Sequence, residues 1–307
     1  MPGGFKVAED TGSTVKEGIV IEDTSGNQFV WIPVSNINGD GSNKIKVDAN
    51  TEVEITLGRY TFDTSTGAET IVQKGSEYAS TVTIESYYQE LSTFRESNQV
   101  QSSSGTNATA KDLAGFINSV STNKGYYLAR YEASYASGTT FGVGDNSTYY
   151  KPASEVSTSN STSSMSYTAG RLWNFITQGN ASKACRQMYY GNSYIESDLV
   201  NSYAWDTAIV YIQAMGNSNY ANQTDGNGTL KNTGATGDEK CKIFDMAANC
   251  MEWTTEYSTG TDNNGAVPSI YRGGIYGYSE YYTSLHRYTY ATGNAKDISF
   301  RPLLYVK

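Results

Sequence analysis

The apolar residues of this chain come in short bursts, separated by long stretches of Ser, Thr, Asn and Gly. Brief apolar or β-branched runs bounded by turn formers read as strands, so the spacing points to short strands, few helices and long irregular loops. The clearest burst is Asn27 to Val34, preceded across the turn Asp23–Gly26 by Gly18–Glu22, and the two are expected to form a hairpin. Thr51–Leu57 alternates with period two and Gly58–Phe62 continues it, which suggests a second pair. Gly125–Glu132 is a further strand with mixed facing. Leu113, Phe116, Ile117 and Val120 fall at i, i+3, i+4 and i+7, which predicts a helix over Lys111–Val120. Trp205, Ala208, Ile209 and Ile212 predict a second helix over Tyr203–Met215, capped by Asn201 or Ser202. Residues 97–110 and 154–166 are low-complexity polar inserts, and loops of that length are usually functional or disordered.

Hydrophobic residues are 38% and charged residues 17%, so solubility must rest on hydroxyls and amides, as suits a secreted or surface-displayed protein. The net charge of −9 argues against nucleic acid, since phosphate binding needs a basic face, and disfavours anionic membrane surfaces. No window approaches the ~18 consecutive apolar residues of a membrane span. Met1-Pro2-Gly3-Gly4 does not open a signal peptide, so an export signal or anchor would lie upstream. Cys185, Cys241 and Cys250 have no metal-type spacing and read as small buried hydrophobes, with any disulfide left open. At 307 residues the chain is read as one elaborated domain. Residues 1–110 form its β-rich beginning, or alternatively a separate appendage, and 111–307 form the main body. A monomer is expected.

Three pieces carry a family resemblance. Tyr126-Tyr127-Leu128-Ala129-Arg130-Tyr131-Glu132-Ala133-Ser134 is similar to an aromatic strand of the formylglycine-generating-enzyme family. Lys242-Ile243-Phe244-Asp245-Met246-Ala247-Ala248-Asn249-Cys250-Met251-Glu252-Trp253-Thr254 resembles its D-M-x-G-N-x-x-E-W-T segment, with Ala248 where Gly is usual. Arg272-Gly273-Gly274 and Phe300-Arg301-Pro302 match its terminal R-G-G … G-F-R frame, with Ser299 in place of Gly. Ser202–Ala208 resembles the family helix and Phe29–Val34 its opening strand. The resemblance implies an α+β, C-type-lectin-like fold of that type, with short strands, a few helices and long irregular loops. Read from chemistry alone, Trp253 is a core residue. Glu252 beside it needs a buried partner, for which Arg272 and Arg301 are candidates because a guanidinium can satisfy a carboxylate bidentately. These residues are expected to be scaffold.

The family's chemistry does not carry over. Its enzymes use a pair of cysteines after the R-G-G turn to bind copper and substrate, and here no Cys follows Arg272. A related branch uses a multi-His iron site, and His286 is the one histidine in the chain. A triad would have to combine His286 with Ser284 two residues away, without a nucleophile elbow. No cofactor is therefore expected. Asn36–Asp40 and Asp262-Asn263-Asn264 carry oxygen ligands for calcium, but polar loops are commoner than sites.

The interval Ile275–Tyr290 differs from everything around it. Tyr is dense there, with Ser, Thr and Gly between, the composition of a binding surface in which rigid amphipathic rings are set among adaptable small residues. C-type-lectin-like variable proteins of diversity-generating retroelements end with R-G-G, a variable stretch and G-F-R, and the chain resembles them here. In those systems template adenines are mutated, chiefly in Asn codons, and Tyr, His, Ser, Thr and Ile each lie one adenine change from AAY. These residues fill most of the interval, while Asn is absent from it. Tyr276, Tyr278, Ser279, Tyr281, Tyr282, His286, Tyr288 and Tyr290 are the expected ligand-binding positions, with Ile275 and Ser284 as further candidates. Gly277, Glu280, Leu285 and Arg287 are expected to be mainly frame. The sequence thus predicts a non-catalytic protein at a bacterial cell surface or a phage surface, or otherwise extracellular, that binds a protein or glycan ligand. The alternatives are an oxidoreductase of the formylglycine-generating type with an altered site, or a glycan-binding lectin of fixed specificity.

Overall fold

Side chains along a strand point alternately to opposite faces, and in this chain both faces of the central sheet are apolar. A computed structural model describes residues 1–80, 82–84, 88–90, 108–135, 165–166, 172–174, 176–224, 228–259, 269–278, 283–290 and 297–307, with backbone alone at 135, 165–166, 289 and 290. In chain order the strands are β1 (Phe5–Val7), β2 (Val20–Asp23), β3 (Gln28–Pro33), β4 (Ile45–Lys46), β5 (Glu52–Val53), β6 (Gly58–Phe62), β7 (Glu69–Lys74), β8 (Tyr88–Gln89), β9 (Gly125–Ala129), β10 (Ser134–Tyr135), β11 (Met165–Ser166), β12 (Ile195–Leu199), β13 (Glu239–Lys240), β14 (Ile243–Phe244), β15 (Met251–Ser258), β16 (Ser269–Arg272), β17 (Arg287–Tyr290), β18 (Ile298–Phe300) and β19 (Pro302–Val306). The helices are α1 (Leu113–Asn123), α2 (Gln178–Gln187) and α3 (Ser202–Ala214). The architecture is α+β.

A six-stranded antiparallel sheet runs β1-β2-β3-β9-β19-β12, so strands from the first 33 residues and from the last six share one sheet. Val30 and Ile32 of β3, Tyr126 and Leu128 of β9, and Leu303 and Tyr305 of β19 face α1 and α3 in one cluster. Phe29, Tyr127, Ala129 and Leu304 face the other way, toward α2 and the second sheet. That second sheet runs β17-β16-β15-β18, with β8 also on β15, and only the β15–β18 pairing in it is parallel. All eight residues of β15 are buried.

The β2–β3 hairpin, α1 and α3 form where the periodicity places them. Asp112 accepts from Gly115 N at 2.8 Å to start α1, and Asn201 accepts from Ala204 N at 2.9 Å to start α3. The expected pairing of Thr51–Leu57 with Gly58–Phe62 does not occur. β5 pairs with β4, and β6 pairs with β7. A period-two pattern reads the same whichever strand lies beside it, so the run from Thr51 to Phe62 does not mark the change of partner between β5 and β6. α2 has no counterpart in the sequence reading, because its buried residues are Gln178, Gly179, Asn180, Ala181, Ser182, Ala184 and Cys185. A buried face without large apolar side chains leaves no helical period to detect.

Candidate functional site

The motif residues build a platform. Asp245 and Asn249 adopt left-handed backbone (φ 66° and 62°), which Asp and Asn tolerate better than most residues. Asp245 is held there by Gly234 N (2.6 Å), Thr233 Oγ1 (3.1 Å) and Thr236 Oγ1 (2.5 Å). Asn249 donates to Glu132 at 2.5 Å and accepts from Lys231 N at 3.0 Å. Against this loop the chain turns at Gly273 and Gly274. A Cβ at Gly274 would stand 2.0 Å from Ala247 O, so only glycine permits the approach.

Arg301 takes both oxygens of Glu252, Nε to Oε2 at 2.6 Å and Nη2 to Oε1 at 2.5 Å, as a bidentate fork. The carboxylate is thereby satisfied, and Arg272, the other candidate partner, goes elsewhere. Its Nη2 donates to Asp206 of α3 at 2.6 Å, with the guanidinium 5.7 Å from the Trp205 ring centroid. Asp206 also receives Arg287 and, at 2.9 Å, Tyr60 N. Glu256 of β15 is shared by Arg59 (2.7 Å), Arg287 (3.2 Å) and Arg272 (3.6 Å). Burial pushes the Glu256 carboxyl up, but Arg287, Arg59 and Arg272 outweigh it and hold it below the usual range. Arg59, Asp206 and Glu256 were not legible as site-forming residues, because nothing in sequence links positions so far apart.

This network lies directly beneath β17. Arg287 points into it, 7% exposed, while its neighbour Tyr288 is 47% exposed. Tyr288 sits opposite Tyr271 of β16, ring centroids 5.6 Å apart, and His286 stacks on it at 5.5 Å. The approach to β17 is fixed by main-chain contacts. Ser284 N donates to Gln223 O (3.1 Å), Leu285 N to Ala221 O (3.0 Å), and Trp205 Nε1 to Ser284 O (2.9 Å). On the other arm Tyr278 is 56% exposed, and its carbonyl accepts from Thr224 Oγ1 at 3.1 Å. Residues 221–224 therefore tie Tyr278 and the 284–286 turn to one edge.

Of the expected binding positions, Tyr278, His286 and Tyr288 are presented on this edge. Tyr276 is half-buried, its ring packed near Leu172, Cys250 and Leu230, and burial pushes its phenol up. Ser279, Tyr281 and Tyr282 lie outside the described residues, and of Tyr290 only the backbone, opposite Ser269, is described. The two further candidates face inward instead. Ile275 is buried in the core, and Ser284 is fully buried with its hydroxyl donating to Tyr220 O at 2.6 Å. Thr224, Gln223 and Tyr271, which support the edge, carry no signal in the sequence, because each contact is made to a backbone or ring far along the chain.

None of the three cysteines is in a disulfide. Burial pushes Cys241 up to about 12 and Cys250 well above the ordinary thiol range, the protonated and unreactive state. Among the described residues no group of three or more His, Cys, Asp or Glu side chains is placed to hold a metal ion. In the 36–40 loop, Asn36 Oδ1 accepts from Asn38 N and Gly39 N, and Asp40 accepts from Ser42, so these oxygens serve the turn itself. Asp262–Asn264 lies outside the described residues. Among the described residues no helix is long and apolar enough to cross a membrane.

Neither a protein-family profile nor a curated protein matches the chain. Among solved structures it is similar to the Major Tropism Determinant I1 variant and M1 variant, each 12% identical, with 99% of this chain and 83% of that one covered at a TM-score of 0.32. The U1 variant gives 11% identity, 99% and 84% coverage and a TM-score of 0.33. Overlap at that level assigns neither fold nor function.

Proposed function

We propose that the chain is a non-catalytic ligand-binding protein of C-type-lectin-like fold, of the formylglycine-generating-enzyme type, whose Tyr-rich C-terminal segment is a recognition surface diversified by a retroelement. The observation that carries the reading is the division across β17 and its approach. Arg287, Ser284 and Ile275 are built into the interior, whereas Tyr278 and Tyr288 stand out from it, with half-buried His286 stacked on Tyr288. A large aromatic with half its surface exposed gains little for folding, but supplies contact area with few rotamers to lose on binding. Beneath it, buried ion pairs fix the backbone, so the outer side chains can change while the support does not. The ligand is a protein or a glycan met outside the cell, and the chain works as a monomer.

A panel of surface proteins and immobilised glycans, screened with the intact chain, tests the reading. The ligand that binds should lose about thirtyfold or more in affinity in Tyr278→Ala/Tyr288→Ala, as for a pair of hot-spot aromatics. Unchanged affinity in that variant, with the fold intact, overturns the assignment. The diversification claim makes a separate genomic demand. A reverse-transcriptase gene and a near-copy of this 3′ end, differing at adenines, should lie nearby, and a neighbourhood without them sinks that claim alone. Copper or iron bound by the purified protein, or turnover of a Cys-containing peptide, would favour an enzyme instead.

A further inference from the structure

A second aromatic corner is built around the turn between α2 and β12, remote in sequence from the C-terminal segment. Tyr190 and Tyr194 are 77% and 60% exposed, more than Tyr278 or Tyr288. They are held on a fixed turn. Asn192 N donates to Tyr189 O at 3.0 Å, and Asn192 Oδ1 accepts from Tyr194 N (2.8 Å) and Ile195 N (3.2 Å). Lys307 ties the turn from the end of β19, its N donating to Tyr194 O at 2.9 Å and its Nζ to Asn192 O at 2.5 Å. The Tyr194 ring rests on the backbone of Gly3, where a Cβ would stand 2.8 Å from Cε2.

Beside this turn lies a pocket of about 290 Å³, lined among others by Phe5, Asp23, Thr24, Ser25, Tyr189 and Asn192. Its wall is aromatic, with the Phe5 and Tyr189 centroids 5.6 Å apart and Phe29 behind them. Asp23 is its one carboxylate, and four donors occupy it: Ser25 N, Asn27 N, Asn27 Nδ2 and the Tyr189 hydroxyl, at 2.8, 2.9, 2.8 and 2.6 Å. A carboxylate has about four lone-pair sites, so Asp23 is a brace and has no capacity left for a cation. What the rim offers a ligand is neutral: the Thr24 and Ser25 hydroxyls and the Asn192 amide N–H groups.

We propose that this corner is a second binding site, for the end of a neutral saccharide. The pocket is at the small end of the range for ligand sites, about 300 Å³, which limits it to one or two rings. Its lining has no cationic side chain to attract an acidic group, and the lone pairs of its one carboxylate, Asp23, are already taken by neutral donors. The C–H face of a sugar ring meets the electron-rich face of Tyr or Phe, while its hydroxyls exchange hydrogen bonds with Thr24, Ser25 and Asn192. Tyr190 and Tyr194 extend the platform past the pocket mouth for the next residues of the chain.

Calorimetry and saturation-transfer NMR on the intact protein test this, with chitotetraose, cellotetraose and mannotetraose as neutral probes and 3′-sialyllactose as the acidic control. At least one neutral probe should bind saturably and more tightly than the control. Its affinity should fall about tenfold or more in Tyr194→Ala and in Asn192→Ala, and stay unchanged in Tyr278→Ala/Tyr288→Ala. Gly3→Val, which pushes the Tyr194 ring away without altering the turn, should weaken binding as well and serves if Asn192→Ala does not fold. No binding by any neutral probe, preference for the acidic control, or equal loss in the Tyr278/Tyr288 variant each overturns the proposal. Because the two pairs of tyrosines are tested separately, failure here leaves the C-terminal surface standing, and the reverse holds too.

Discussion

Two buried ion networks hold the C-terminal half together, with opposite balances of charge. Under β16 and β17, Arg59, Arg272 and Arg287 face the carboxylates of Asp206 and Glu256. Behind the 245–253 loop, Arg301 faces Glu252 with Glu132 and Asp245 close by. The consequence is opposite protonation. Arginines hold Glu256 low despite its burial, whereas burial and mutual repulsion raise Glu132 well above the carboxylate range, and burial raises Glu252 and Asp245. Glu256, held below its ordinary 4.5, contributes a constant amount above that value and loses it only as pH falls further, whereas the raised carboxyls of the acid-rich network lose stability as pH rises.

The largest test of that contrast is Arg301→Leu. Removing one partner of a buried pair costs about 3–5 kcal/mol, and here it leaves three carboxyl groups without their arginine. Urea unfolding at pH 5.5 and pH 8 should show a greater loss at pH 8. The folded-state pKa values, already raised, rise further, and stability is lost as pH climbs above the unfolded carboxylate value. An equal loss at both pH values would break the comparison. Arg287→Leu should cost less, about 1–3 kcal/mol, because Arg272 and Arg59 still serve Asp206 and Glu256. That loss should match at the two pH values, and a difference of more than about 1 kcal/mol would show that the network is not charge-saturated.

Glu90 sharpens the contrast from beside the arginine-rich network. Its carboxylate accepts from Ser202 N (2.9 Å), Ser202 Oγ (2.8 Å) and Thr255 Oγ1 (2.6 Å), yet enclosure of the group pushes it up to about 7. With the folded value above the ordinary 4.5, this group's contribution falls as pH rises from about 4.5 to about 7 and is flat beyond. Glu90→Gln should flatten the melting temperature across that window relative to the parent. A parallel pH profile in the two proteins would remove Glu90 as its source. The smallest effect belongs to Tyr288→Ala, which should leave the unfolding midpoint within about 0.5 kcal/mol of the parent. A larger loss would make Tyr288 part of the frame that Arg287 anchors.

Local pattern carried much of the fold into view and little of its pairing. α1 and α3 were legible because each packs a continuous apolar stripe, and the β2–β3 hairpin because a turn joins two apolar runs. α2 was not, since its interior contacts are made by Ala, Gly and amides. Glu252 was recognisable as a buried acid in need of an arginine, but the choice between Arg301 and Arg272 depended on which guanidinium the folded sheets bring in bidentate reach. At the candidate site the Tyr-dense interval was plain as composition. The exclusion of Ile275 and Ser284 from the surface was not, because both residue types suit either side of a strand.

The sequence alone determined α1, α3 and the β2–β3 hairpin, since period, capping and turn chemistry are properties of neighbours along the chain. It determined too that a dense run of tyrosines lies between two frame motifs. Only the tertiary structure decided which carboxylates Arg287 meets, and that Asp206 of α3 and Glu256 of β15 meet three arginines from distant strands. It alone set Tyr190 and Tyr194 beside a pocket reached from β1 and the β2–β3 turn. Those outcomes depend on contacts between residues tens to hundreds of positions apart, which no local pattern encodes.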